Sequence, residues 1–363
     1  MKNTFGNNLS VTLFGESHGN AIGAILDGIA PGISVNQDNI AKMLEMRKGF
    51  SEISTSRREP DKFEILSGVF GGKTTGTPLC IVIKNEDTRS KDYSLTKDLA
   101  RPSHADFTAN QKYHGFEDYR GGGHFSGRIT APLVALGSIV LDALQKKGIY
   151  IGSHISKVGE LEDRSFADFK TDLDQLKTKK IAVLDNEIGD KMIEKIKHAK
   201  QDGDSLGGVL ETVVLGCPSG VGEPWFDSVE SMLSHALFSV PAVKGVEFGA
   251  GFDFANMVGS VANDSFETIN GKIVTETNNS GGINGGITNG MPIVFKTAFR
   301  PTPTISKRQD TVNIKTKENA VIEAKGRHDP FIVHRAKVVV DSITAITIAD
   351  MLITRFGTDW LGE

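Results

Sequence analysis

Apolar residues along the 363-residue chain fall into two kinds of run. Short β-branched runs bounded by turn residues predict strands at Ser10–Phe14, Ala21–Leu26, Phe63–Phe70, Leu79–Lys84, Ile149–Ile155, Leu206–Leu215 and Pro292–Thr297. Helical spacing predicts a helix over Asn36–Lys48, with Ile40, Met43 and Leu44 on one face and Gly49 as its stop. It predicts a mostly apolar, buried helix over Pro132–Lys147 and an amphipathic one over Gly189–Lys200. A further helix is expected over Phe226–Leu237, with Asp227 and Glu230 at capping-box spacing, and a long apolar core helix over Ala336–Phe356. Strands and helices are interspersed without strict βαβ alternation, so the expected class is α+β, helices against antiparallel β-sheets. No linker interrupts the pattern, and residues 1–363 are read as one domain. Leu161–Glu187 is charged and reads as a surface excursion.

Composition narrows the function classes. A formal net charge of -4 with dispersed basic residues gives no reason to expect nucleic acid or a membrane surface as partner. No apolar run suggests a signal peptide or a membrane span, and Cys80 and Cys217 form neither a disulfide framework nor a metal motif, so a reducing cytoplasm and no metal are expected. Glycine is the outlier. Forty glycines make up about 11 % of the chain, against roughly 7 % usually. They cluster without a fixed period, which points to loops where backbone adopts positive φ or approaches a ligand.

Familiar nucleotide motifs fail on context. Ser67–Thr74 nearly matches a P-loop, but lacks its first glycine and runs into Thr75-Gly76-Thr77-Pro78 where a helix should begin. Gly121-Gly122-Gly123 is not the dinucleotide fingerprint, and Gly15-Glu16-Ser17-His18-Gly19 is not a nucleophile elbow.

Four polar, glycine- or proline-flanked segments interrupt the apolar pattern. Gly15–Gly19 puts His18 between two strands, where it is either a solvated turn residue or faces a cleft. Arg101-Pro102-Ser103-His104-Ala105-Asp106 holds an arginine and a histidine on restricted backbone, a pair able to bind an anion and protonate it, or simply a surface loop. The loop from Arg120 to Thr130 enters the Pro132 helix, where free N–H groups, Arg120 and Arg128 suit phosphate or carboxylate. Gly326-Arg327-His328-Asp329-Pro330 places a carboxylate among basic residues, either an ion-pair partner or, if desolvated, a base. Together they suggest an anion site with several acid–base groups.

In their order along the chain these segments resemble the chorismate synthase family. Phe14–Gly19, Ile65–Phe70 with Gly72–Pro78, Arg101–Asp106 and Arg120–Thr130 match its signatures, as do Gly203–Ser205, Gly222–Pro224, Pro241–Glu247, Gly281–Ile287 and Gly326–Pro330. The resemblance implies helices sandwiched between antiparallel β-sheets, a homotetramer, reduced FMN (FMNH2) as cofactor, and 5-enolpyruvylshikimate 3-phosphate as substrate. The implied reaction is a 1,4-anti-elimination of phosphate that yields chorismate for aromatic amino-acid biosynthesis.

Residue by residue, the resemblance implies that His104 protonates the leaving phosphate, His18 protonates the flavin, and Asp329 takes a proton from it. It implies that Arg47, Arg101, Arg128 and Arg327 bind substrate anions. It implies that flavin lies against His124, Phe125, Ser126, Gly127, Pro241, Ala242, Gly285, Arg300, Pro301, Thr302, Pro303, Thr304 and Arg327. The glycine loop departs from the family's usual GGGRSSARET at His124, Phe125, Gly127 and Ile129. Two other readings stand beside it: an NAD(P)H-dependent flavin reductase activity, for which the sequence holds no dinucleotide fingerprint, and a non-catalytic flavin-binding homologue, favoured only by the altered loop.

Overall fold

In the computed structural model the described residues are all but 1, 50–52, 55–58, 87–96, 178, 180, 324–328 and 363. Two five-stranded sheets enclose a layer of helices. The first runs, in spatial order, Thr4–Phe5, Ser10–Gly15, Ala21–Asp27, Leu79–Lys84 and Phe63–Ser67. The second runs Val243–Phe248, Ile293–Phe299, Gly208–Leu215, Tyr150–Val158 and Leu161–Glu162. Among the described residues every strand pair is antiparallel. The expected α+β sandwich is the architecture found.

Helix Thr130–Lys146 packs under the first sheet and helix Val333–Phe356 under the second, and the two helices pack on each other. Their contact is close because Gly137 has no side chain: a Cβ there would sit 2.3 Å from the Ser342 Cβ. One apolar cluster runs through both sheets and the helices between them, including Ile22, Ile81, Leu136, Ile346, Leu210 and Phe295. The last helix also anchors the chain start. Asp350 accepts the backbone N–H groups of Asn7, Asn8 and Leu9 at 2.7–2.8 Å, charge-assisted bonds that each contribute about 1.5–3 kcal/mol. Gly127–Lys146 is long and apolar enough to cross a membrane by length and composition alone, contrary to the sequence reading; its most apolar stretch is 83 % buried inside the protein, as a core helix requires.

Several predicted elements differ in detail. The strand expected over Phe63–Phe70 stops at Ser67. At Gly68 the chain turns with φ 82°, where a Cβ would lie 2.5 Å from the Leu79 Cα, and it then forms the short hairpin Val69–Phe70 with Lys73–Thr74. The helix expected from Phe226 begins at Val229. Its cap is Ser228, whose hydroxyl accepts the Ser231 N–H at 3.1 Å, in place of Asp227. The long helix starts three residues before Ala336, at Val333. Leu161–Glu187 is more than an excursion: it contains helix Phe169–Leu176 and is tied to the second sheet through buried His154, Asp163 and Glu211.

Candidate active site

A cleft of about 340 Å³ opens at one end of the helix layer. Its cationic wall is assembled from distant segments. Arg47 is the last residue of helix Gln37–Arg47, and Arg128 stands in the turn Gly127–Ile129 that leads into the central helix. Asp61 joins them. Its carboxylate accepts from Arg47 Nη2 at 3.0 Å and from Arg128 Nη1, and all three side chains are buried. Burial alone would raise the Asp61 carboxyl, but the two guanidiniums hold it below its usual value. Burial pushes Arg47 down to about 10 despite Asp61. Two arginines against one aspartate leave a net positive charge, and Arg47 Nε is buried without a hydrogen-bond partner among the described residues. That arrangement suits an incoming anion.

The cleft is also lined by His104, whose Nδ1 lies 2.8 Å from Asp106 Oδ1. Arg101 grips the same carboxylate through Nε at 2.8 Å and Nη2 at 2.7 Å. Burial opposes ionisation of Asp106, yet these hydrogen bonds and charges hold its carboxyl well below the usual range. Asp329 lines the cleft ahead of the last helix and pairs with Arg335, which also donates to the Arg47 carbonyl at 3.1 Å. Beside Arg335, His334 pairs with Ser54 at 2.7 Å and is pulled down to about 4 by burial, so it stays neutral near pH 7.

The glycine loop packs closely on a neighbouring turn. Gly121 and Gly123 adopt φ of 59° and 53° and press against the His18 turn: a Cβ on Gly121 would sit 2.2 Å from the His18 ring. Ser17 N–H donates to the Gly123 carbonyl at 3.0 Å. Gly122 N–H is taken by Tyr119 and Arg128 N–H by Ser126, while Arg120 is paired with Asp118 outside the cleft lining.

Thirteen expected residues therefore line one cleft: Arg47, His104, Phe125, Ser126, Gly127, Arg128, Pro241, Ala242, Arg300, Thr302, Pro303, Thr304 and Asp329. Arg101 stands behind His104, and His18, 7 % exposed, stands behind Gly121. His124 is turned to the first sheet, with Nδ1 2.8 Å from the Gly15 carbonyl. Gly285 occupies the turn between Ile283–Asn284 and Ile287–Thr288, and Pro301 is not part of the lining. Arg327 lies outside the described residues. Sequence reasoning missed Asp61, Asp106 and Arg335 as site residues. Asp106 had a visible cue, since it closes the turn that begins at Arg101.

An apolar strip of Val240, Pro241, Ala242, Ile332 and Val339 also lines the cleft. Next to it Arg300 Nε and Thr302 Oγ1 are buried without partners among the described residues. A flat, partly apolar ring system with polar edges fits that surface, since it would cover the strip and satisfy the orphaned groups.

Fold and cleft together define an enzyme built to hold a multiply anionic small molecule beside acid–base groups. The profile of the chorismate synthase family matches residues 9–353. The chain is 46 % identical over 347 residues to the chorismate synthase of Pyrococcus abyssi, covering 96 % of each chain. It is 44 % identical over 352 residues to that of Methanosarcina barkeri, covering 97 % of this chain and 96 % of the other. A crystal structure of chorismate synthase superposes with a TM-score of 0.77 at 31 % identity, covering 98 % of this chain and 94 % of that one. The chain belongs to the chorismate synthase family. Its reaction is that family's: phosphate elimination from 5-enolpyruvylshikimate 3-phosphate to chorismate, a lyase step of aromatic amino-acid biosynthesis that in this family uses reduced flavin.

Proposed function

We propose that this cleft is where the elimination takes place and that each wall has a distinct task. Arg47 and Arg128, preset by Asp61, bind the anionic groups of the substrate, with Arg101 and Arg327 as further anion contacts. His104 delivers a proton to the departing phosphate oxygen. FMN, when bound in its reduced form, would supply electron density to assist phosphate loss. Arg300–Thr304, Pro241–Ala242 and Phe125–Gly127 hold and orient it, with His124, Gly285 and Arg327 as further contacts. His18 holds a proton behind Gly121 at the flavin edge, and Asp329 accepts one on its carboxylate. The apolar strip keeps water from the electron-rich site.

The supporting observation is convergence. His104, Arg128 and Asp329 come from segments far apart in sequence, yet line one cleft with the orphaned Arg300 Nε. Anaerobic incubation with 5-enolpyruvylshikimate 3-phosphate and dithionite-reduced FMN should release phosphate and develop chorismate absorbance. Oxidised FMN should give neither. Equal turnover with oxidised flavin, or none with reduced flavin, would overturn the reading.

We further propose one domain spanning residues 1–363, a cytoplasmic location suited to reduced flavin and free thiols, and a homotetramer. The last rests on apolar side chains left open on one chain: Trp225, Phe226 and Phe252 are more than 80 % exposed, and Phe266 and Ile273 more than 60 %. Light scattering should return a mass near four chains; a monomeric mass across the micromolar range would remove that assignment.

A further inference from the structure

The segment Arg101–Asp106 folds around a single carboxylate. His104 N–H donates to the Arg101 carbonyl at 3.0 Å, and Arg101 N–H donates to Asp106 Oδ2 at 3.0 Å. Ser103 sits at φ 58° to close the turn. Asp106 is then the first residue of helix Asp106–Tyr113, whose positive end favours its negative charge.

This turn favours Nδ1 as the imidazole nitrogen that carries the permanent proton. An ionised carboxylate only accepts hydrogen bonds. An Asp106 Oδ1 contact of 2.8 Å with Nδ1 therefore requires a proton on Nδ1; without it two lone pairs would face each other. Arg101 Nη2 passes Nδ1 at 3.1 Å, but its guanidinium already makes the two-pronged bond to Asp106, and a protonated Nδ1 has no lone pair to offer it. The Nε2 edge lies toward the glycine loop, 3.5 Å from where a Cβ on Gly122 would be.

We propose that Asp106 is a positioning residue for His104: it fixes the neutral imidazole as the Nδ1–H tautomer and stabilises the imidazolium whose Nε2 proton goes to the leaving phosphate. The inference rests on the reading of His104 as the acid. The proton balance is simple. The ring carbon–oxygen bond breaks with its electron pair going to the phosphate oxygen, that oxygen takes the proton from Nε2, and a neutral imidazole remains with Nδ1–H bonded to Asp106. The charged groups around His104 are Asp106 and Arg101 in its own turn and Arg300, whose guanidinium donates to the Ser103 carbonyl. The same cleft is lined by Arg47, Glu59, Asp61, Arg128, Asp329 and Arg335. Asp106 is the carboxylate in direct contact with the ring.

Asp106→Asn keeps the shape and removes the charge. Measured anaerobically with reduced FMN, kcat and kcat/KM should each fall by about 10-fold or more while KM changes little. Asp106→Glu should restore part of both. The ¹⁵N spectrum of imidazole-labelled wild-type protein should show neutral His104 protonated at Nδ1, a measurement that stands even if the asparagine variant does not fold. An Nε2–H tautomer in the wild type, or a kcat within twofold of wild type in a folded Asp106→Asn protein, would overturn the proposal and leave the elimination reading intact. An active His104→Ala enzyme would instead remove His104 as the acid.

Discussion

Replacing His104 with alanine is expected to slow phosphate elimination by about 10²–10⁴-fold, the usual share of a positioned general acid. Phosphate leaving without a proton carries more negative charge into a cleft where Arg47 and Arg128 are partly neutralised by Asp61. The loss should fall on kcat, because the imidazole is assigned to proton delivery while Arg47 and Arg128, separate residues of the same lining, are assigned to substrate binding. Stability should change little, since His104 packs at a cleft edge and its side chain keeps 18 % exposure. Stopped-flow phosphate release with reduced FMN measures the step. A rate within twofold of wild type would take His104 out of the chemistry.

His104 could be nominated from sequence because loops carry function and its loop is short, proline-bounded and polar. The same reasoning singled out the segments of Arg128 and Asp329, which reach the cleft, whereas Arg300, Thr302, Pro303 and Thr304 were reached only through the family resemblance. Patterning was equally informative where a strand is bounded by unambiguous residues. Leu79–Lys84 is found with the predicted limits, its odd positions buried against the helices, between Pro78 and Asn85.

What sequence could not reveal depends on pairings between distant segments. Nothing local marks Asp61 as the bridge between Arg47 and Arg128, because that role exists only when three separate stretches meet. His124 carries no sign that its ring would turn to the Gly15 carbonyl. The triple glycine was legible as a loop but not as packing. Its open conformations let it press on the His18 turn, a contact that a Cβ at Gly121 would forbid. Strand limits failed where a single glycine redirects the chain, as Gly68 does, since a positive φ cannot be told from an ordinary strand glycine by composition.

The largest stability effect is expected outside the cleft, at His154. Its ring lies opposite Glu211 across the second sheet, with Nε2 2.8 Å from the Glu211 carboxylate and Nδ1 3.1 Å from Asp163. Asp163 also accepts the N–H of Asp185, Glu211 accepts that of Phe166, and the Phe166 ring covers the imidazole edge-on at 4.7 Å. His154→Ala would strip the cation from between two buried carboxylates and should cost about 3–5 kcal/mol of folding free energy. Burial by itself disfavours the imidazolium, but both carboxylates raise its pKa above 6.5, so the folded value exceeds the unfolded one. Its stabilisation is then complete below about pH 6.5 and is lost as pH rises through the raised value. Burial would raise the pKa of Asp163 and Glu211, yet His154 and backbone N–H groups lower both, so their share fades as acid takes the pH down through their depressed values. The gap in unfolding free energy between wild type and His154→Ala should therefore be widest near pH 5.5–6.5. It should narrow on the alkaline side, while turnover per folded molecule stays near wild type. Denaturant unfolding across pH 5–9 measures it. A gap below about 1 kcal/mol at pH 6, or one that widens with rising pH, would show that the imidazolium is not what holds Leu161–Glu187 to the sheet.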